Sequence, residues 1–380
     1  MKYLSLLGQN PQLSIAELKS VYDIKILEQT QNVLVFESKN RINLLNLGGT
    51  PKLAEVIGEY QNVNDIKQAI IDNLLELPDD KKIFFGISIY NKKDKYFYNN
   101  LGKNIKKKLQ ENNRKIRWVV SKDLVLSSVV IKTNKLLTRG ADFNILFLEK
   151  KMILAKTVDV QDFFDYEFRD MKRPKRDLIS GMTPPKLAKI LINLAGSGDT
   201  FLDPFCGSGT FLTEASLLGF KNIYGSDISL KAVEDSKDNT EWLKEKYNLD
   251  TNFYIQKCNV TNLRECWSTI RKNKFPIIVG EGYLGPAIRG GISQEQGKKL
   301  QIELEENYNR YLEGLADALE KNGRIVLIVP FIITGRETLH LNLDLKKYGL
   351  TSVFPPILYS RPDQKIGREI YILEKIKPQI

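Results

Sequence analysis

Asp203-Pro204-Phe205-Cys206-Gly207-Ser208-Gly209-Thr210 is the stretch on which the fold turns. A short apolar run at 200–203 precedes it and a helical pattern at 209–218 follows, so the glycines sit where a strand gives way to a helix. Glycine there permits positive φ and close approach of the backbone to a ligand, and the opening helix presents free amides. Nucleotides, flavins and methyl donors all use such a turn. Two residues narrow the choice. Asp227 ends the next expected strand 24 residues after Asp203, where a carboxylate can accept from a ribose diol, and Asn259 follows the third strand, where an amide can read an adenine edge. The loop lacks the Lys-Ser/Thr ending of a phosphate loop and has no cluster for Mg²⁺, which disfavours ATP.

Outward from this turn, strands are expected at 222–227, 253–258, 276–280 and 324–329, with helices at 230–247 and 294–321. That alternation makes a parallel sheet flanked by helices. Two β-rich runs, 352–359 and 369–374, read as a closing hairpin. Upstream, residues 163–177 are dense in charge and aromatics, and Pro174 forbids a simple helix through them. Residues 161–178 are therefore expected to link the domains, and 179–380 to form a Rossmann-like domain. Residues 1–80 read as a small α/β unit, with a strand at 4–7, a helix at 14–21, a strand pair within 24–36 and a helix near 42–47. In 81–160, strands are expected at 84–90, 118–121 and 144–149, and helices at 96–111 and 125–133.

The chain has 380 residues, 42% hydrophobic and 27% charged, enough for two or three domains with real cores and too much for one small binding module. No apolar run approaches the roughly 18 to 20 residues of a membrane helix, and the start is too short and weakly cationic for a signal peptide, so a cytoplasmic protein is expected. Cys206, Cys258 and Cys266 show no CxxC spacing and His340 is the single histidine, so neither a disulfide framework nor a zinc site is expected. Catalysis would have to work without a bound metal and without a histidine base.

The net charge of +11 is unevenly spread: residues 1–80 hold 7 basic and 11 acidic groups, residues 81–160 hold 19 and 6, and the remainder 31 and 29. A field so localised attracts a polyanion, and counterion release makes the binding salt-dependent. Lys103, Lys106, Lys107 and Lys108 lie mostly on one face of the expected helix and are the candidates for gripping nucleic acid.

With Arg169-Asp170, Arg173-Pro174-Lys175-Arg176-Asp177 and Gly181-Met182-Thr183-Pro184-Pro185-Lys186-Leu187-Ala188 upstream, the glycine loop resembles that of tRNA guanine-N2 methyltransferases carrying an N-terminal THUMP domain. Leu47-Gly48-Gly49-Thr50-Pro51-Lys52-Leu53-Ala54 is similar to a segment of that family's N-terminal region. The resemblance implies an α/β chain: an N-terminal region with a THUMP-like domain at 81–160, then a Rossmann-like domain using S-adenosylmethionine. It implies that Asp203, Phe205, Gly207, Gly209 and Thr210 shape the methionine pocket, Asp227 holds the ribose and Asn259 meets adenine. Thr183 and Pro184 read as the N-cap and first turn of a helix bordering the donor, with plain capping as the alternative for Thr183. The substrate implied is tRNA, at guanine N2 of position 10. An activating subunit stays open, since eukaryotic relatives need a small zinc-binding partner and archaeal ones act alone.

Relatives place Asp/Asn-Pro-Pro followed by an aromatic residue after the fourth strand. An exocyclic amine has its lone pair delocalised into the ring, so its hydrogens must be held by acceptors while an aromatic side chain stacks on the base. This sequence has Glu281-Gly282-Tyr283 there, so an acid, a carbonyl and a ring remain while both prolines are gone. Its longer carboxylate must be pulled back for the amine to reach the sulfonium, with Gly285-Pro286 as a source of stiffness. Either these three residues form a working acceptor site, or the chain is a silent RNA-binding protein, or a DNA amino-methyltransferase. Lys172, Arg173, Lys175, Arg176, Arg361, Lys365 and Arg368 are expected to meet phosphate.

Overall fold

A computed structural model of the protein describes residues 1–78, 81–177, 182–269, 274–288, 290–335, 337–361 and 364–376. The chain divides into two units, Met1–Asp165 and Tyr166–Ile380. The expected boundary at 178/179 lies outside the described residues.

The first unit is built on one mixed sheet. Its strands are β1 (Lys2–Leu6), β2 (Ile24–Gln29), β3 (Val33–Ser38), β4 (Lys52–Tyr60), β5 (Ile83–Tyr90), β6 (Ile116–Val119), β7 (Gly140–Phe147) and β8 (Met152–Val160), in the order β2-β3-β1-β4-β8-β7-β5-β6. Residues 1–80 and 81–160 therefore share a sheet, because β4 pairs antiparallel with β8. Helices α1 (Pro11–Val21), α2 (Val63–Leu75), α3 (Lys95–Glu111) and α4 (Ser128–Thr133) complete the unit. The expected helix near 42–47 is a single 3₁₀ turn, Leu44–Asn46. Helix α3 buries Tyr98, Leu101, Ile105 and Leu109, and its Gly102 lies so close to Trp118 that a Cβ there would sit 2.3 Å from the indole.

Strands β4 and β8 and helix α2 escaped the sequence reading, and a buried charge is part of the reason. Lys52 opens β4 with no solvent exposure, its Nζ donating to Asp142 Oδ2 at 3.0 Å, Ser88 Oγ at 3.0 Å and Asn144 Oδ1 at 3.2 Å. Thr157 Oγ1 donates to Asp142 Oδ2 at 2.6 Å and Tyr90 OH to Asn144 Oδ1 at 3.0 Å, so β4, β5, β7 and β8 are tied by one polar network. Burial pulls the Lys52 ammonium's pKa down, and Asp142 opposes it.

In the second unit, α5 (Phe163–Met171) straddles the division and ends before Pro174; it occupies ground expected to be linker. Then follow α6 (Pro185–Ala195), β9 (Thr200–Asp203), α7 (Thr210–Leu217), β10 (Asn222–Asp227), α8 (Leu230–Tyr247), β11 (Asn252–Lys257), α9 (Leu263–Trp267), β12 (Phe275–Glu281), α10 (Gln294–Ala318), β13 (Leu319–Ile333), β14 (Thr338–His340), β15 (Leu350–Ser352), β16 (Ile357–Tyr359) and β17 (Ile366–Lys375). The sheet order is β11-β10-β9-β12-β13-β17-β15, parallel from β11 to β13 and antiparallel at β17. The closing hairpin is a three-part arrangement, since both β15 and β16 pair with β17. The core under α10 includes Leu304, Tyr308, Leu312, Leu315, Trp267 and Phe275.

The cysteines correct the expectation. Cys258 and Cys266 form a disulfide with Cα atoms 6.2 Å apart, because the 3₁₀ turn Val260–Asn262 and α9 fold the chain back onto the end of β11. Spacing in sequence did not reveal that return. Cys206 is free and buried.

Replacing Lys52 by Ala strands the Asp142 carboxylate in the interior and is expected to cost about 3–5 kcal/mol, whereas Lys52→Met with Asp142→Leu costs far less. Urea unfolding followed by hydrogen exchange of the β7 and β8 amides measures both.

Candidate active site

Strand order reverses between β9 and β12, where parallel sheets open a crevice beyond their carboxyl ends. Asp203, Asp227 and Glu281 are the last residues of β9, β10 and β12, so the topology gathers three of the expected site residues at one edge.

The loop after β9 is held by its own backbone. Asp203 Oδ1 accepts from Phe205 N at 3.0 Å, Cys206 N donates to Ser226 O at 2.9 Å and Gly209 N to Cys206 O at 2.7 Å. Gly207 and Gly209 have φ of +50° and +86°, the left-handed region that favours glycine. Apart from its chain neighbours, no atom lies nearer than 3.9 Å to a Cβ built on Gly207, so the space over it is open. Asp227 accepts from Gly207 N at 3.1 Å and Ser229 N at 2.9 Å, one amide per carboxylate oxygen, with capacity for a diol remaining. Beside it, Ile228 and Leu230 are 66% and 56% exposed, an apolar wall that sequence reading passed over. Asn259 is exposed, with Oδ1 accepting from Thr261 N at 3.2 Å.

Asp203 tests whether a methyl donor fits. Its side chain is fully buried and its Oδ2 has no hydrogen-bond partner. Burial pushes the carboxyl's pKa well up, with Asp227 and Glu281 adding to the rise. An orphaned acid beside an open glycine turn suits a ligand that brings donors or positive charge, as the amino-acid end of S-adenosylmethionine does. The residues present fit the group.

A strap from the start of the unit braces this loop. Arg173 is buried, donating to Thr210 Oγ1 at 2.7 Å and to Arg169 O at 3.0 Å. Arg169 pairs with buried Glu214 at 2.7 Å. Asn239 bonds Lys175 through both its backbone N and O and donates to Ser208 O at 2.7 Å. None of these long-range partners has a sequence signature. Arg173 therefore turns inward to serve the loop's hydroxyl, which corrects its expected place on a phosphate surface. Lys172, Lys175 and Arg176 are exposed, Lys175 with Asp238 at 3.2 Å.

At the end of β12, Glu281 is met from two sides: Arg368 Nε donates to Oε1 at 2.6 Å and Thr183 Oγ1 donates to Oε2. Arg368 is thus drawn to a carboxylate, again unlike a phosphate contact. Thr183 is not the helix cap either; Pro184 holds that position without a side-chain bond, and the hydroxyl goes to Glu281. Gly282 is buried against α10, where a Cβ would sit 2.9 Å from the Tyr308 hydroxyl. That hydroxyl donates to Ile328 O at 3.1 Å. Gly282 is thus held by packing, and Gly285, with φ of +97°, lies in the left-handed region that favours glycine. Tyr283 is 47% exposed, and Phe205 packs on Tyr311 with ring centroids 5.1 Å apart.

Arg361 is exposed and Lys365 half-buried. Lys103 and Lys107 are exposed on α3 and Lys106 half-buried, in the first unit. Among the described residues, no helix is long and apolar enough to cross a membrane and no group of three or more His, Cys, Asp or Glu could hold a metal ion.

Comparison with known proteins accords with this geometry. Residues 30–238 match the family described as DNA methylase, and residues 173–353 match the RMKL-like methyltransferase domain. A protein of Pyrococcus abyssi named tRNA (guanine(10)-N2)-dimethyltransferase is 23% identical over 378 residues, covering 98% of this chain and 99% of that protein. A protein of the same name from Methanocaldococcus jannaschii is 29% identical over 215 residues, 55% of this chain and 53% of that one. The aligned part thus spans about half of the latter relative. The crystal structure of TrmN from Thermus thermophilus covers 99% of this chain with a TM-score of 0.56 at 16% identity, and SMU.472, solved with SAH, covers 100% at 0.50 and 13%. These two share the fold.

A carboxyl whose folded pKa is raised contributes stability below its ordinary pKa and loses it as pH rises through the raised value. Wild type is therefore expected to lose stability relative to Asp203→Asn as pH goes from about 4 to 8, a difference read from paired thermal melts without donor.

Proposed function

Because the chain belongs to the DNA methylase family, on a match spanning residues 30–238, we propose that it is an S-adenosylmethionine-dependent methyltransferase acting on an exocyclic amine, the N2 of a guanine in tRNA, at position 10. The observation that carries the chemistry is the meeting of Asp203, Asp227 and Glu281 at the reversal of strand order. The choice of tRNA is supported by the named relatives and by the excess of 19 basic over 6 acidic groups in residues 81–160. Such a substrate implies a cytoplasmic place of work.

S-adenosylmethionine, when bound, supplies a methyl group on an electrophilic sulfonium. Asp203, Phe205, Gly207, Gly209 and Thr210 form the cradle for its amino-acid end, Asp227 accepts from its ribose and Asn259 faces its base. Glu281 and the Gly282 carbonyl accept the N–H groups of guanine, which localises the nitrogen lone pair, and Tyr283 stacks on the ring. Orientation then supplies much of the rate. Arg169, Arg173 and Asn239 keep the cradle in place. Lys103, Lys106 and Lys107 in one unit, and Lys172, Lys175, Arg176, Arg361 and Lys365 in the other, meet phosphate.

The family description favours one second reading, a DNA amine as acceptor. Purified chain is incubated with unmodified tRNA or with DNA and methyl-labelled donor, and the product nucleoside is located by mass spectrometry. N2-methylated guanosine is expected from tRNA; label on DNA alone selects the second reading. Activity of the isolated chain also decides whether an activating subunit is needed.

Glu281→Ala is expected to abolish transfer while leaving donor affinity nearly intact by calorimetry; full activity would remove Glu281 from the acceptor role. Raising salt from about 50 to 200 mM is expected to weaken tRNA binding severalfold or more, measured by filter binding.

A further inference from the structure

Sheet register explains how Arg368 reaches the acceptor corner. Glu281 stands opposite Ile328 of β13, and Arg368 of β17 stands opposite Pro330, two residues further along β13. Side chains alternate along a strand, so Ile328 and Pro330 share a face, and Glu281 and Arg368 share it with them. Two inter-strand steps, about 9.5 Å, separate β12 from β17. Two long side chains close that gap, bringing Arg368 Nε to 2.6 Å from Glu281 Oε1. Aspartate at 281 would be one carbon–carbon bond, about 1.5 Å, shorter.

The pair is sheltered, each side chain being 14% exposed, so solvent screens it less than it would a surface ion pair. Thr183 holds the other carboxylate oxygen from the segment before α6. An ionised carboxylate offers about four acceptor positions, and these two contacts leave some for a substrate N–H. The guanidinium also balances a carboxylate that stands near Asp203, whose own pKa it raises.

We propose that Arg368 is a positioning residue for methyl transfer: with Thr183 it withdraws and fixes the Glu281 carboxylate. The inference rests on the reading of Glu281 as amine acceptor. Loss of the guanidinium frees the carboxylate to move, and a displacement near 1 Å costs roughly 10²-fold in rate.

The test uses the full chain, a tRNA transcript and methyl-labelled S-adenosylmethionine. Arg368→Ala is expected to lower kcat about 10²-fold while KM for tRNA and donor affinity stay close to wild type. Arg368→Lys should recover part of the loss. Glu281→Asp should fall as Arg368→Ala does, and the double variant should fall little further, because both changes break one contact. An Arg368 that touched phosphate would instead raise KM for tRNA, flatten the salt dependence and leave kcat unchanged; that result overturns the proposal, as does full activity in Arg368→Ala. Donor binding reports whether each variant folds. Should Arg368→Ala fail that check, Arg368→Lys and Glu281→Asp carry the decision through the same split between kcat and KM. If wild type and Arg368→Ala transfer at the same rate while Glu281→Ala does not transfer, this inference alone fails. If wild type binds donor and transfers nothing, the acceptor reading fails and this inference with it.

Discussion

Three carboxyl groups end neighbouring strands of one parallel sheet, and keeping them together shapes the rest of the second unit. Each is accommodated differently. Asp203 is buried with an unpartnered oxygen and its pKa driven up; Asp227 takes two backbone amides; Glu281 takes a guanidinium and a hydroxyl. Like charges crowded at low dielectric are costly unless hydrogen-bonded or paired; Asp227 and Glu281 have such partners, and burial with a bare oxygen drives the Asp203 pKa up. The register of β17 brings Arg368 to Glu281, and the strap through Arg169, Arg173 and Asn239 braces the loop that carries Gly207.

The glycine turn and its flanking elements were legible in the sequence because their determinants are local. A strand, a glycine turn and a helix lie within 203–210, and Asp227 follows at a spacing fixed by the length of one helix and one strand. The corner after β12 was legible only as a list of residue types. That Glu281 meets Arg368, 87 residues away, depends on the pairing of β12, β13 and β17, which no local pattern encodes. For the same reason Arg173 and Arg368 looked like surface cations: sequence records a charge but not the buried acceptor that claims it.

The first unit shows the converse error. Lys52 is a charged residue with no exposure at the head of β4, a strand that was not expected, whereas its partners Ser88 and Asn144 lie in strands that were. The network satisfies its members at one another's expense, so it stabilises the sheet as a set. Basic character in 81–160 was easy to count, whereas the unity of that segment with the first eighty residues rested on β4 and β8, one of them opened by that hidden lysine.

The contact between Gly282 and Tyr308 bears on how such a corner changes through descent. Tyr308 has no solvent exposure and is anchored to Ile328, so it cannot retreat to admit a side chain at 282. A lineage carrying this aromatic could admit a bulkier residue at 282 only after first trimming the side chain at 308, and that order of steps constrains how the corner changes.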